Sequence, residues 1–417
     1  MRSDFVATPL GTIAHIEMGQ SPDSSTVREG DHGGVPFLQG NGEFGVAHPT
    51  PRFSCVAPMK MCRAGDILIS VRAPVGAVNI ADRDYCIGRG LAAVRVPGMS
   101  STLAAHMVSA AAPALRRVAQ GTTFEAINKT DLASLMVMAP PQTEREPLGF
   151  VLDTLDTTIR QTEAIIEKLK QVKQGLLHDL LTRGIGANGE LRPPHSQAPH
   201  LYKDSALGWI PKEWEVRCLS ECAEISSGVT LGRELAGHGV VELPYLRVAN
   251  VQDGYVDLRE VKSVRVLRSE IDRYALSDGD VLMNEGGDFD KLGRGTVWRA
   301  QIQPCLHQNH VFRVRCNRDM LLPDFLAAYS ASQRGKTFFL LSSKQSTNLA
   351  SINSTQLKGF PIARPGGGEQ RQIVERIHTV DCRVCSESRA LQKLEAIKSG
   401  LMDDLLTGRV RVTPLLA

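Results

Sequence analysis

Residues 168–182, KLKQVKQGLLHDLLT, return 225 positions later as KLEAIKSGLMDDLLT at 393–407, with nine of the fifteen pairs identical. The same offset, without a gap, aligns Ile127, Asn128, Thr130 and Leu132 with Ile352, Asn353, Thr355 and Leu357, Glu144 with Glu369, and Asp156 with Asp381. Upstream the match is looser. LGTIAHIEMG (10–19) pairs with LSECAEISSG (219–228), and AGDILIS (64–70) with DGDVLMN (278–284), at offsets of 209 and 214, so the second copy carries insertions. One unit of about half the chain has been duplicated, and any fold must be built twice. At 417 residues the chain also exceeds what one core can organise.

The closely matched part is helical by pattern. Apolar residues fall at Leu148, Leu152, Leu155, Ile159, Ile166, Leu169, Val172, Leu176 and Leu180. The second copy has Ile373, Ile377, Val380, Val384, Leu391, Leu394, Ile397, Leu401 and Leu405. Steps of three and four describe a coiled-coil seam, broken once in each copy, at Thr162 and Glu387. Pro140-Pro141 and Gly366-Gly367-Gly368 precede the two helices as breakers, and Gly184 and Gly408 follow as C-terminal caps. The diverged parts carry short apolar runs, DILISV (66–71), AAVRV (92–96), DVLMN (280–284) and HVFRV (310–314), punctuated by Gly, Pro, Asn and Asp, which is a strand-rich pattern.

The expected fold class is α+β, in five parts: a globular α/β domain over 1–143, a spacer helix over 144–183, a linker over 184–206, a second globular domain over 207–366, and a C-terminal helical part over 367–417. Each helix can bury its seam only against the other or against a partner. Packed antiparallel, the pair turns the direct repeat into a pseudo-twofold, with two similar but non-identical reading heads at a fixed separation. Duplex DNA suits such an object, because twofold proteins read half-sites a helical turn apart. The net charge of +3 excludes a highly basic nucleic-acid-coating protein without excluding a basic face. No run of 18 apolar residues suggests a membrane span, the first residues show no secretory pattern, and nine scattered cysteines suit reduced thiols, so a cytoplasmic location is expected.

These strings resemble the specificity subunit of type I restriction-modification systems over essentially the whole length. The resemblance rests on LGWIPKEWEV (207–216), YLRVANVQDGYVDL (245–258), GDVLMNEGGDFDKLGRGTVW (279–298), HQNHVFRVR (307–315) and the two GLL-x-x-LLT-type helix ends, within a duplicated arrangement. It departs from the family at the helix starts, RPGGGEQRQIV and QTEREP, with Pro147 near the first turn. The resemblance implies two target-recognition domains that bind a bipartite double-stranded DNA target. It also implies docking to two copies of an S-adenosylmethionine-dependent adenine methyltransferase subunit and to an ATP-dependent restriction subunit, with no catalysis and no cofactor in this chain.

Base edges are read by Arg, Asn and Gln, and phosphates are held by basic or small polar groups. The candidates in the first domain are Gln39, Asn41, Arg72, Arg89, Thr122 and Thr123; in the second they are Asn284, Lys291, Arg294, Gln308, Asn309, Thr347 and Asn348. The glycines at 286, 287, 293 and 295 suit close backbone approach to a phosphate, although GGDFDKLGRG also reads as a plain hairpin turn. Helix capping competes for the threonines. Cys382 and Cys385 form a lone CxxC inside the second helix, His307 and His310 an HxxH without a third ligand, and Asp253, Glu260 and Lys262 a nuclease-like cluster absent from the first copy; none is expected to bind metal. No phosphate-binding Lys-Ser/Thr loop and no methyltransferase Asn/Asp-Pro-Pro-aromatic tetrapeptide occurs, so neither ATP binding nor methyl transfer is expected. The alternatives are a DNA enzyme with its own site and a coiled-coil scaffold without DNA contact.

Overall fold

The computed structural model describes residues 5–119, 125–233, 239–287, 292–293, 295–345 and 350–412. The chain forms two compact units, one of residues 1–165 with 387–417, the other of residues 166–386. The two long helices, Gln142–Thr182 and Gly367–Leu405, each contribute to both. Gly367 and Gly368 form the first turn of the second helix instead of preceding it, and Pro147 lies inside the first. Gly184 and Gly408 follow the helices in the left-handed region, with φ of 65° and 70°, as helix-terminal glycines should.

Unit one is built on a four-stranded antiparallel sheet in the order His15–Met18, Leu91–Arg95, Ile67–Ser70, Val78–Ile80. Side-chain alternation divides its faces. Ile67, Ile69, Ala92 and Val94 pack with Ala104, Met107, Val108 and Leu115 of the helix Ser101–Ala119. Leu68, Leu91 and Ala93 pack instead with Leu38, Tyr85 and Ile87 of a second, mixed sheet, in which Val35–Leu38 and Tyr85–Ile87 run parallel. Val6–Pro9 pairs with Met136–Ala139 and so ties the start of the chain to the strand that leads into the long helix.

Unit two repeats this plan. Its four-stranded antiparallel sheet runs Ala223–Ser227, Val311–Cys316, Val281–Asn284, Gly295–Val297. Val281, Met283, Phe312 and Val314 face Phe325, Leu326, Tyr329 and Phe339, while Leu282 and Val311 face Leu246, Val251 and Trp298. The strands Val240–Leu246 and Leu306–His307 again run parallel. A buried carboxylate recurs at the same place in each unit. Asp66 accepts from the Arg63 backbone N–H at 2.8 Å and pairs with Arg95, and Asp280 accepts from the Ser277 N–H at 2.7 Å and pairs with Arg315. Such a charge persists in a core because cation and backbone donor together replace its water.

Within each unit the two long helices meet through matched residues. In unit one Lys398 pairs with Asp156 at 2.5 Å, and in unit two Lys173 pairs with Asp381 at 2.5 Å. Burial opposes ionisation of Asp156, but hydrogen bonds from His106 and Lys398 outweigh it and hold the carboxyl down at about 2. Glu369 of unit two accepts from Ile185 N–H at 2.7 Å, from Arg192 Nη1 at 2.5 Å and from Trp214 Nε1 at 3.1 Å. Its counterpart Glu144 of unit one, fully buried, has Arg411 on Oε1 and no partner on Oε2 among the described residues. Phe5, whose ring carries no N–H, stands where Trp214 stands in the second copy.

The segment 184–206, expected to be an exposed linker, is folded into unit two: Ile185, Ala198 and Tyr202 are buried, Tyr202 donates to the Pro193 carbonyl at 2.6 Å, and Tyr202–Lys203 pairs with Ile210–Pro211. Its apolar residues are few and scattered, which a Pro- and Gly-rich composition conceals. The seam is also less uniform than its spacing suggests. Thr162 is buried at the break because its hydroxyl is satisfied by the Thr158 carbonyl at 2.8 Å, whereas Val172 and Ile397, equivalent positions of the repeat, are exposed.

Candidate nucleic-acid interface

In unit one His15–Met18 ends, Leu91–Arg95 begins and Ile67–Ser70 ends at the same edge of the sheet, with Ala92 opposite Met18 and Leu91 opposite Ser70. Backbone hydrogen bonds carry the edge outward: Gly88 N–H to Leu38 C=O at 2.8 Å, Val71 N–H to Gly90 C=O and Ile127 N–H to Val71 C=O at 2.9 Å each. Gln39, Arg89 and Arg72, from three separate segments, therefore share one rim, and all three side chains are exposed. The rim closes only because residue 90 is glycine, since a Cβ there would lie 2.6 Å from the Gln39 carbonyl oxygen. Asn41, half-buried, opens the single 3-10 turn Asn41–Glu43 in the loop that follows Gln39. The buried Asn79 fixes that loop by donating to the Gly45 carbonyl at 2.7 Å. Thr122 and Thr123 lie outside the described residues.

Unit two carries the same rim on different residues. Gln308 N–H donates to Leu246 C=O at 2.8 Å, Glu285 N–H to His310 C=O at 3.0 Å and Ile352 N–H to Glu285 C=O at 2.8 Å. Gln308 and Asn309 thus sit at this rim, half-buried, and beside them stands Arg247, which the sequence reading did not single out. Aligning the LQGN that starts at Leu38 with the LRVAN that starts at Leu246 would have found it, because Gln39 and Arg247 each follow the leucine whose carbonyl accepts from the parallel neighbour. Lys291, Arg294, Thr347 and Asn348 lie outside the described residues.

Two readings are corrected here. Asn284 is 1% exposed and its amide donates inward to the Val251 carbonyl at 3.1 Å, so it braces the loop after Leu246 and does not reach a base edge. Gly293, at φ 65°, is required by packing rather than by a phosphate, because a Cβ there would lie 2.1 Å from the Phe339 ring. The other constellations do not assemble. His307 is buried against the Val311 carbonyl at 2.7 Å, and burial lowers its pKa to about 4, while His310 pairs with Glu285 at 2.5 Å. Glu260 reaches Arg247 at 3.2 Å and Lys262 at 3.8 Å. Cys382 lies 3.2 Å from His378 on one helix turn. Among the described residues no group of three or more His, Cys, Asp or Glu side chains could hold a metal ion, and no helix is long and apolar enough to cross a membrane.

A sheet edge built twice, holding exposed Gln and Arg on one copy and half-buried Arg, Gln and Asn on the other, belongs to a duplicated domain, and sequence comparison agrees. The family described as type I restriction modification DNA specificity domain matches residues 2–171 and again 211–398, and the chain belongs to that family. It is similar to a type I restriction enzyme MjaX specificity subunit of Methanocaldococcus jannaschii, provisionally so named, with 39% identity over 184 residues, 43% of each chain. It is also similar to the EcoKI specificity subunit of Escherichia coli, with 24% identity over 62% of this chain and 53% of that one. The chain thus spans about half the length of these curated relatives. The crystal structure of a type I S subunit from M. genitalium shares the fold, with a TM-score of 0.59 at 14% identity, covering 97% of this chain and 96% of that one.

Proposed function

We propose that this chain is the non-catalytic DNA-recognition subunit of a cytoplasmic type I restriction-modification assembly, reading a bipartite, asymmetric target with one unit per half-site. The observation that carries the reading is the twice-built rim: identical backbone hydrogen bonding presents Gln39, Arg72 and Arg89 in one unit and Arg247, Gln308 and Asn309 in the other. Equal scaffolds with unequal side chains suit two different half-sites. Of the candidate contacts, Asn41 joins this rim set and Asn284 leaves it, while Thr122, Thr123, Lys291, Arg294, Thr347 and Asn348 stay candidates on their residue types alone.

The long helices serve as an antiparallel spacer with pseudo-twofold character. Support comes from the repeat itself, since the Asp156–Lys398 pair of one unit and the Asp381–Lys173 pair of the other are the same two repeat positions with the helices exchanged. Two copies of an adenine methyltransferase subunit dock on this spacer, and the exposed Val172 and Ile397, 225 residues apart, offer each copy the same apolar contact. An ATP-dependent restriction subunit completes the assembly. Selection of a randomised duplex library by the full chain with its methyltransferase subunits tests the reading. A consensus of two unlike half-sites around a fixed gap is expected, and recovery of no consensus would overturn it.

A further inference from the structure

Gln39 and Arg247 occupy one position of the repeated scaffold, immediately after leucines 38 and 246, whose carbonyls accept from Gly88 and Gln308. The loop that starts at Arg247 is held with unusual care. Asn250, 3% exposed, accepts from Arg247 N–H at 2.9 Å and donates to the carbonyls of Asp257 and Glu260 at 2.8 and 2.9 Å, and Asn284 donates to Val251 from below. Glu260 then holds one edge of the guanidinium through Nη2 at 3.2 Å. Two buried amides fix the backbone from which Arg247 projects, and a carboxylate orients its guanidinium, while the side chain remains partly exposed. Fixing a side chain before binding is what base discrimination requires, because a bidentate pair repays its geometry only when both bonds form together.

We infer that this position is a specificity-determining site in both units, with Arg247 reading guanine through O6 and N7 in one half-site and Gln39 reading adenine through N6 and N7 in the other. The inference rests on the recognition function proposed above and adds the bases. Library selection with the full chain and its methyltransferase subunits is repeated with Arg247→Gln, Gln39→Arg and Glu260→Gln, each first checked for an unchanged thermal unfolding profile. Arg247→Gln should move one base pair of one half-site from G·C towards A·T, Gln39→Arg should move one base pair of the other half-site the opposite way, and each switch should amount to about 5- to 150-fold in relative affinity. Glu260→Gln should blunt the guanine preference without changing which base is preferred. An unchanged consensus in the folded variants, or weakening spread evenly over all sequences as for a phosphate contact, overturns the inference. Both outcomes leave a bipartite wild-type consensus intact, whereas a wild type without consensus defeats the function itself.

Discussion

The equivalent carboxylates Glu144 and Glu369 should respond very differently to the same substitution. Removing Glu369 leaves Arg192, whose side chain is 9% exposed, with only the exposed Glu213 at 3.5 Å for a carboxylate, and orphans the Ile185 and Trp214 N–H groups. Breaking a buried pair costs about 3–5 kcal/mol and each orphaned donor about 1–3, without full additivity, so Glu369→Ala should cost about 5 kcal/mol. Removing Glu144 discards a carboxylate whose second oxygen already lacks a partner among the described residues, and Arg411, 32% exposed, can turn to water. Glu144→Ala should therefore cost about 1–2 kcal/mol, since the cavity contribution is common to both. The difference of about 3–4 kcal/mol is a factor of several hundred in opening equilibrium. Native-state hydrogen exchange reads it in one molecule, through Leu180, Leu181 and Ile185 for unit two and Leu148, Leu152 and Leu405 for unit one. Equal loss of protection in the two variants would refute this account of the junctions.

Trp214→Phe, which reproduces the Phe5 arrangement in the second copy, should cost about 1–2 kcal/mol through the lost 3.1 Å bond to Glu369, seen as a lower urea midpoint for exchange in unit two. Asp156 has a folded pKa of about 2, below its ordinary 3.8, so its contribution of about 2 kcal/mol is complete above pH 4 and is lost as the pH falls towards 2. Asp156→Asn should flatten that stretch of the stability profile, and an acid unfolding curve that keeps its wild-type slope there contradicts the assignment. Deleting one heptad from each long helix should shorten the spacer by about 10 Å and the gap between half-sites by about three base pairs, read from library selection; an unchanged gap removes the ruler role.

Much of this was legible because the duplication is written in side chains that pack. The seam leucines, the terminal glycines and the runs DILISV and DVLMN declare helix and strand through period and punctuation. What stayed hidden depends on partners distant in sequence. Asn284 is polar and sits beside glycines, which describes a surface contact as well as a buried brace; only its bond to Val251 decides between them. Arg247 stayed hidden because the offset between copies drifts upstream of the helices, so a fixed shift passes over its match to Gln39, which a local alignment of LQGN with LRVAN recovers and the strand register makes plain. The 184–206 segment misled for the opposite reason: its composition is that of a loop, and it is a loop, but one stitched into a core.

The rim side chains stand on strand ends whose backbone bonds, glycines and buried asparagines do not depend on what Gln39, Arg72, Arg89 or Arg247 happen to be. Exposed positions of this kind change at little cost to folding. On the proposed function, a lineage can therefore rewrite one word of its vocabulary at a time, leaving the second word legible throughout, and the fold tolerates the edit because its backbone bonds are spelled without those letters.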